Sequence, residues 1–208
     1  NNKKMIYIDV GANDGKYCFN FMTFYRKYFD EIYLIEPLKE LNTSIKKNVP
    51  YFTEIINNLI IDKKKQTNFH KSSNSSLSSI FEYSNNTNKI YENKNKGIVE
   101  VMGQTLDNLV KNKNQKSIFL KIDTQGSELL VLKGAKKLLN NVDLLYIECS
   151  FASQYKNNEP TFSKIVAFLD KYNLIPVCFE TYSEQVSFSA FERNILFVKK
   201  DNANNIFN

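Results

Sequence analysis

Residues 9–15 read Asp-Val-Gly-Ala-Asn-Asp-Gly, with two glycines and two acidic residues in seven positions. It closes the apolar run 5–10, which predicts a buried parallel strand because the run lacks polar alternation. Gly11 and Gly15 tolerate backbone conformations that other residues avoid, and a ligand can approach their amides closely at a helix start. The stretch therefore predicts a strand, a ligand-binding turn and a helix.

Strand and helix patterns alternate on the C-terminal side of this turn. A helix over 16–29 is predicted to bury Phe19, Met22, Phe24 and Tyr28 against a sheet. Further strands are predicted over 31–35, 52–61, 98–102, 118–122, 143–147, 175–180 and 194–199. Further helices are predicted over 38–48, 105–110 with Thr105 as the cap, 127–139 and 161–172.

This order predicts one α/β domain over residues 1–208. We expect a class I methyltransferase-type (Rossmann-like) fold, with a mostly parallel seven-stranded sheet and helices on both faces. The last two strands have no helix between them and are expected to form a C-terminal antiparallel hairpin. Residues 63–97 are polar and rich in Ser and Asn, and are expected to form an insertion or lid.

The charge, the apolar runs and the cysteines of the chain bear on its partners and its compartment. The 208 residues carry a formal charge of +6, which makes weak attraction to an anionic partner plausible without establishing nucleic-acid binding. Apolar runs are too short to cross a bilayer, so no membrane span is expected. Cys18, Cys149 and Cys178 lack the pairing of a zinc or redox site, and we read them as buried thiols in a reducing, cytoplasmic compartment.

The acidic residues around the first turn indicate which ligand it binds. Asp9 and Asp14 would repel a pyrophosphate but attract an ammonium group, and S-adenosylmethionine carries both an amine and a sulfonium. Glu36 ends the next strand, from which a carboxylate can accept hydrogen bonds from two ribose hydroxyls. The alternative is a simple tight turn with a surface acid. We predict an S-adenosylmethionine site that includes Asp9, Gly11, Ala12, Asn13, Gly15, Glu36 and Pro37.

Two further carboxylates follow later strands and are the candidate catalytic residues. Asp123 follows the strand predicted to lie beside the first one, so it should face the reactive end of the cofactor. It can position or deprotonate the acceptor, cap the following helix, or do both. Glu148 ends the next strand and either removes a hydroxyl proton or makes a structural hydrogen bond.

Several separate segments resemble the FkbM family of methyltransferases: residues 8–15, Glu36-Pro37, 74–79, Thr105-Leu106-Asp107, 120–135 (LKIDTQGSELLVLKGA), Ile147-Glu148 and 194–199. The resemblance covers most of the chain. It implies methyl transfer from S-adenosylmethionine to a hydroxyl of a sugar, glycolipid or polyketide-type natural product. It also implies that Ser76 and Leu77 fold over the cofactor, that Asn58 and Leu59 lie near its adenine, and that Asp123 lies close to the transferred methyl group.

The chain departs from the family at Asn58, where alanine is frequent, and in its Lys- and Asn-rich stretches, so the acceptor stays open. His70, the only histidine, is either a second candidate base or a surface side chain. Carboxylates without regular spacing are poor evidence for magnesium, and we predict no metal.

Two rival functions remain at this point. One is RNA 2′-hydroxyl methylation, although the chain lacks the Asn/Asp-Pro-Pro-Tyr and Pro-Cys motifs of base methylation and an aromatic-rich basic groove. The other is a non-catalytic module that binds S-adenosylmethionine, against which the intact 9–15 turn argues.

Overall fold

The apolar run Met5–Val10 forms β1, an inner strand of a seven-stranded sheet in a computed structural model. The structure describes residues 4–50, 53–110, 116–158, 160–180 and 191–206. The strand order is β3-β2-β1-β7-β8-β10-β9, and β10 runs in the direction opposite to the other six strands of this sheet. The predicted α/β fold class and the C-terminal antiparallel hairpin are confirmed.

The strands after β1 are Phe29–Ile35 (β2), Glu54–Ile56 (β3), Leu59–Ile60 (β4), Lys65–Ser72 (β5), Asn95–Gln104 (β6), Ile118–Ile122 (β7), Val142–Ser150 (β8), Leu174–Phe179 (β9) and Glu192–Lys199 (β10). The helices are Lys16–Tyr25 (α1), Asn42–Asn48 (α2), Asn85–Ile90 (α3), Leu106–Leu109 (α4), Glu128–Lys133 (α5), Phe162–Asp170 (α6) and Lys200–Ile206 (α7).

Alternating side chains of the parallel strands build a core on each face of the sheet. Ile8 and Leu120 belong to the larger cluster, which includes side chains of α4, α5 and α6. Tyr7 and Phe119 point to the opposite face, where side chains of α1 and α2 cover them. Because both faces are packed, β1 and β7 are apolar along almost their whole length.

The polar segment after β4 contains structure that the sequence pattern did not predict. β5 pairs antiparallel with β6, and β4 adds to β6 in parallel, which gives a second, three-stranded sheet. Leu38, Leu59, Ile61 and Phe69 form a small apolar cluster beneath it. The segment is therefore fastened to the main domain by its own core.

The predicted inner face of the first helix is right at Met22 and wrong at Phe19, Phe24 and Tyr28. Cys18 and Met22 are buried, whereas Phe19 and Tyr28 are partly exposed and Phe24 is 74% exposed. The helix ends at Tyr25, and a short 3₁₀ turn leads into β2. Apolar residues occur on every side of this helix, so periodicity alone could not identify the buried stripe.

Other element boundaries also need correction. The strand predicted over 52–61 is two strands that belong to different sheets, and Phe52 lies outside the described residues. The helix predicted over 127–139 stops at Lys133, just before Gly134. Thr105 occupies the cap position of α4, but its side chain makes no capping hydrogen bond.

The structure agrees with the predicted burial of two of the three cysteines. Cys18 and Cys149 are buried thiols, as predicted, whereas Cys178 is exposed and the prediction that it is buried is wrong. In the part of the chain that the structure describes, no helix is long and apolar enough to span a membrane.

Gly11 tests how tightly the turn after β1 packs. A Cβ at Gly11, where φ is +85°, would overlap the carbonyl oxygen of Asp123. We expect Gly11→Ala to lower the free energy of unfolding by more than about 3 kcal/mol, because backbone strain and the overlap add together. Urea unfolding followed by circular dichroism measures this change.

Gly97→Ala is the matched control. Its φ is +115°, but an added Cβ would meet no atom within 4 Å. We expect a loss of about 1 kcal/mol from backbone strain alone. Equal losses in the two variants would contradict the packing role of Gly11.

Candidate functional site

The turn between β1 and α1 is organised by contacts to the end of β2. The amides of Gly11 and Ala12 donate to the Ile35 carbonyl oxygen at 3.0 and 3.2 Å. The amide of Asn13 donates to Oε2 of Glu36 at 2.9 Å. These three amides therefore bind acceptors of the protein itself.

Backbone conformation and close packing require glycine at two positions of this turn. At Gly11, φ is +85° and the backbone lies directly against Asp123 at the end of β7. At Gly15, φ is +81° and an added Cβ would crowd Val49 at 3.0 Å. Both glycines therefore allow strand ends and helices to come together, and the ligand pocket results from that approach.

Glu36 occupies the tip of β2 and is only 5% exposed. Its Oε1 accepts the amide of Leu38 at 3.0 Å, and its Oε2 accepts the amide of Asn13. Burial raises the pKa of Glu36 to about 7, although the two amide donors oppose that rise. Each carboxylate oxygen keeps one lone pair for another donor.

A cleft opens over the carboxyl ends of β1, β2 and β7. It brings together most of the predicted cofactor-binding residues, namely Gly11, Ala12, Asn13, Glu36, Pro37, Asn58, Leu59, Ser76 and Asp123. Gly15 and Leu77 do not line the cleft, and neither does Asp9. This is the edge of an open α/β sheet where ligands bind.

The predicted ammonium-binding carboxylate Asp9 is fully buried below the turn. Its Oδ1 accepts from Nζ of Lys121 at 3.1 Å, and its Oδ2 accepts from the Tyr7 hydroxyl at 3.1 Å. Burial raises the pKa of Asp9, and the Lys121 ammonium opposes that rise. Asp9 is thus neutralised by a protein cation, and Asp14 is the acid of this turn that lines the cleft.

Lys121 is a buried cation that the sequence analysis did not single out. It is 3% exposed, and burial alone would lower its pKa, but the carboxylates of Asp9 and Asp123 outweigh burial and raise the pKa, so Lys121 stays charged. Its Nζ also lies 4.8 Å from the centroid of the Tyr17 ring, a cation–π contact. The sequence of β7 could have revealed it, since Lys121 is the one charged residue of an otherwise apolar strand.

The candidate catalytic carboxylates lie close together at the ends of β7 and β8. Nε2 of Gln125 donates to Oδ1 of Asp123 at 3.1 Å and to Oε2 of Glu148 at 3.0 Å. Asp123 is a wall of the cleft. Burial, together with the nearby charges of Asp123 and Glu192, raises the pKa of Glu148 well above its usual value.

The turn between Asp123 and α5 is closed by the first residue of that helix. Oε1 of Glu128 accepts the amides of Thr124 and Gly126 at 2.9 and 3.0 Å, while Ser127 occupies the cap position of α5. Burial raises the pKa of Glu128 to about 7. Glu128 therefore closes the turn internally and leaves Asp123 directed toward the cleft.

The polar segment forms one wall of the site. Oγ of Ser75 donates to Oδ1 of Asn13 at 2.7 Å, and Oγ of Ser79 donates to the Gln125 carbonyl oxygen at 2.6 Å. His70 pairs through its backbone with Ser79 and does not line the cleft. Among the described residues, no three His, Cys, Asp or Glu side chains are grouped to hold a metal ion.

Known proteins resemble the chain at the level of family and fold. The family described as methyltransferase FkbM domain matches residues 9–175. Methyltransferase FkbM from Methylobacillus flagellatus KT has a similar structure, with a TM-score of 0.61 and 12% identity over 93% of this chain and 43% of that protein. The chain thus spans less than half of that protein. No curated protein sequence matches the chain.

Two other solved structures resemble the chain more weakly. A SAM dependent methyltransferase from Aquifex aeolicus has a TM-score of 0.47 and 12% identity over 96% of this chain and 85% of that one. A ribosomal protein L11 methylase from Lactobacillus delbrueckii subsp. bulgaricus has a TM-score of 0.48 and 10% identity over 95% and 71%, respectively.

The buried pair of Asp9 and Lys121 makes a testable contribution to stability. Lys121→Met leaves Asp9 without its cation, and we expect the free energy of unfolding to fall by about 3–5 kcal/mol at pH 8. The loss should be smaller at pH 5, because a buried carboxylate whose pKa is raised becomes neutral as the pH falls. Chemical denaturation at both pH values measures the difference.

The double variant Asp9→Asn with Lys121→Met should recover most of that stability, because no unpaired charge remains. Lys4→Met is the control, since the Lys4–Asp30 pair is exposed and should contribute at most about 1 kcal/mol. A Lys121→Met loss that is the same at pH 5 and pH 8 would rule out an unpaired Asp9 charge as its cause.

Proposed function

The chain belongs to the FkbM family of methyltransferases, and from this premise we propose that it transfers a methyl group from S-adenosylmethionine to a hydroxyl oxygen. We propose a sugar, a glycolipid or a polyketide-type natural product as the acceptor. The observation that carries the proposal is the position of two carboxylates on one cleft, Glu36 on one side and Asp123 on the other. Glu148 does not line the cleft but is joined to Asp123 through the side-chain amide of Gln125.

The residues of the cleft fit an adenosyl group. The two remaining lone pairs of the Glu36 carboxylate suit the two hydroxyls of a ribose. Asn58 and Leu59 line the cleft beyond Glu36, where we place the adenine. Ser76 lines the cleft from the polar segment, and we propose that it covers the cofactor together with Leu77.

The acidic residues also fit the amino acid end of the cofactor. Asp14 and Asp123 line the cleft, so an ammonium group there would meet carboxylates. Asp9 contributes indirectly, because it holds the Lys121 ammonium that lies beside Asp123. Gly11 and Gly15 contribute by letting the turn pack closely.

S-adenosylmethionine, when bound, supplies a methyl group on a positively charged sulfur that leaves as a neutral thioether. Glu148 accepts the proton of the acceptor hydroxyl, and its raised pKa makes it a stronger base than an ordinary glutamate. Asp123 accepts a hydrogen bond from the acceptor and orients it. Holding the two reactants in line at close distance supplies much of the acceleration.

Cofactor affinity should depend on pH through Glu36. Ribose hydroxyls donate to the ionised carboxylate, so binding favours the charged form, while the pKa of Glu36 without ligand is about 7. We expect S-adenosylhomocysteine to bind up to about tenfold more weakly at pH 6 than at pH 8, because only about a tenth of Glu36 is ionised at pH 6. Isothermal titration calorimetry measures the dissociation constants.

Glu36→Gln should bind more weakly at pH 8 and lose this pH dependence. Glu54→Gln is the matched control, because Glu54 is an exposed residue of β3 that does not line the cleft. A Glu36→Gln variant that binds as tightly as the unchanged protein would refute the assignment of the ribose site.

Methyl transfer itself is tested with S-adenosylmethionine carrying a labelled methyl group and with fractionated glycans, glycolipids and small molecules from source cells. We expect label in an ether, which survives alkali, whereas a methyl ester would release methanol. Glu148→Gln should reduce transfer by about 10²-fold or more, because the hydroxyl proton loses its acceptor, while S-adenosylhomocysteine binding persists.

Glu100→Gln serves as the control, since Glu100 is an exposed residue of β6. Label recovered only as alkali-labile ester, or full transfer by Glu148→Gln, would contradict the proposed reaction.

A further inference from the structure

Gln125 lies where the acceptor side of the site meets the polar segment. Its side-chain nitrogen donates to Asp123 and Glu148 together, at 3.1 and 3.0 Å. Two carboxylates that share one amide would otherwise repel each other at this distance. A single neutral side chain thus sets the spacing of both candidate catalytic acids.

The orientation of this amide is fixed by a chain of hydroxyl groups. The Tyr83 hydroxyl donates to Oε1 of Gln125 at 2.6 Å, and the Tyr155 hydroxyl donates to that of Tyr83 at 3.3 Å. Ionised carboxylates only accept hydrogen bonds, so they require the NH₂ group on their side. A flipped amide would turn its carbonyl oxygen toward both acids and lose these bonds.

The backbone of Gln125 is held from two sides. Its φ is +54°, a left-handed conformation that non-glycine residues seldom adopt. Oγ of Ser79 donates to its carbonyl oxygen at 2.6 Å, and Glu128 accepts the amide of the next residue, Gly126, at 3.0 Å. Such strain persists only where the surroundings determine it.

We propose that Gln125 is a positioning residue that orients Asp123 and Glu148 for the acceptor, and that Ser79 and Tyr83 of the polar segment set its orientation. This inference rests on the proposed function, because it assigns a purpose to the same two carboxylates. The polar segment then does more than cover a ligand. It controls the geometry and the proton affinity of the acceptor side.

The proton affinity of Glu148 provides the readout. An N–H donor stabilises the ionised carboxylate and lowers its pKa, so removal of the Gln125 donor should raise the pKa of Glu148. That substitution also removes the hydrogen bonds of Asp123 and Tyr83 to Gln125. The other charged or titratable groups that act on Glu148, or on which it acts, make no hydrogen bond to the Gln125 side chain among those described: Lys121, Glu128, Cys149, Glu192 and Tyr155.

The test follows the titration of Glu148 by NMR in the full chain labelled with ¹³C at glutamate carboxyl groups, with Glu148→Gln to assign the signal. We expect the midpoint to rise by about one pH unit in Gln125→Ala, which is the size of one charge-assisted hydrogen bond. Gln125→Asn should show a similar rise, because it withdraws the donor by one methylene. Asn also tolerates the left-handed backbone, so this variant decides the result if Gln125→Ala fails to fold.

Tyr83→Phe should raise the midpoint by less, since it removes only the group that orients the amide. Ser84→Ala is the control: it removes the hydroxyl that caps α3, next to Tyr83, and touches neither Gln125 nor Glu148. An unmoved midpoint in Gln125→Asn, or an equal rise in Ser84→Ala, would overturn the positioning role.

S-adenosylhomocysteine titrated into the same unchanged protein separates the two claims. Absence of binding there would defeat the proposed function, whatever the Glu148 titration shows. Binding together with an unmoved Glu148 midpoint would defeat the role of Gln125 alone.

Discussion

The close approach of the turn after β1 to the end of β7 is the constraint on which the site depends. Gly11 lies against the Asp123 carbonyl with no room for a side chain, and the Asp123 amide donates to the Val10 carbonyl oxygen at 3.0 Å. The same turn reaches β2 through the Ile35 carbonyl and the Glu36 carboxylate. These contacts together fix the distance between Glu36 and Asp123.

Charge balance explains why this arrangement survives burial. Lys121 neutralises Asp9 below the turn and reaches toward Asp123, so the first turn keeps acidic residues without an unpaired buried anion. On the other side of the site, the neutral side-chain amide of Gln125 donates to both Asp123 and Glu148. The cofactor side is held by an ion pair, and the acceptor side by an amide.

The sequence predicted the features that depend on local pattern. Apolar runs predict the buried strands around Ile8 and Leu120 and the terminal antiparallel pair of strands. The glycines predict the turn between β1 and α1. The second sheet was not predicted, because β5 is mostly polar and its partner, β6, lies more than 20 residues further along the chain. The hydrogen-bond partners of the turn amides and the ion-pair partner of Asp9 were not predicted either. These partners are Ile35, Glu36 and Lys121, which only folding brings near the turn.

A crystal structure of the complex with S-adenosylhomocysteine tests the central claim most directly. We predict that both ribose hydroxyls lie within hydrogen-bond distance of Glu36, that the adenine contacts Asn58 and Leu59, and that the sulfur lies on the Asp123 side of the cleft. A ligand bound elsewhere on the chain, or a ribose turned away from Glu36, would contradict the account.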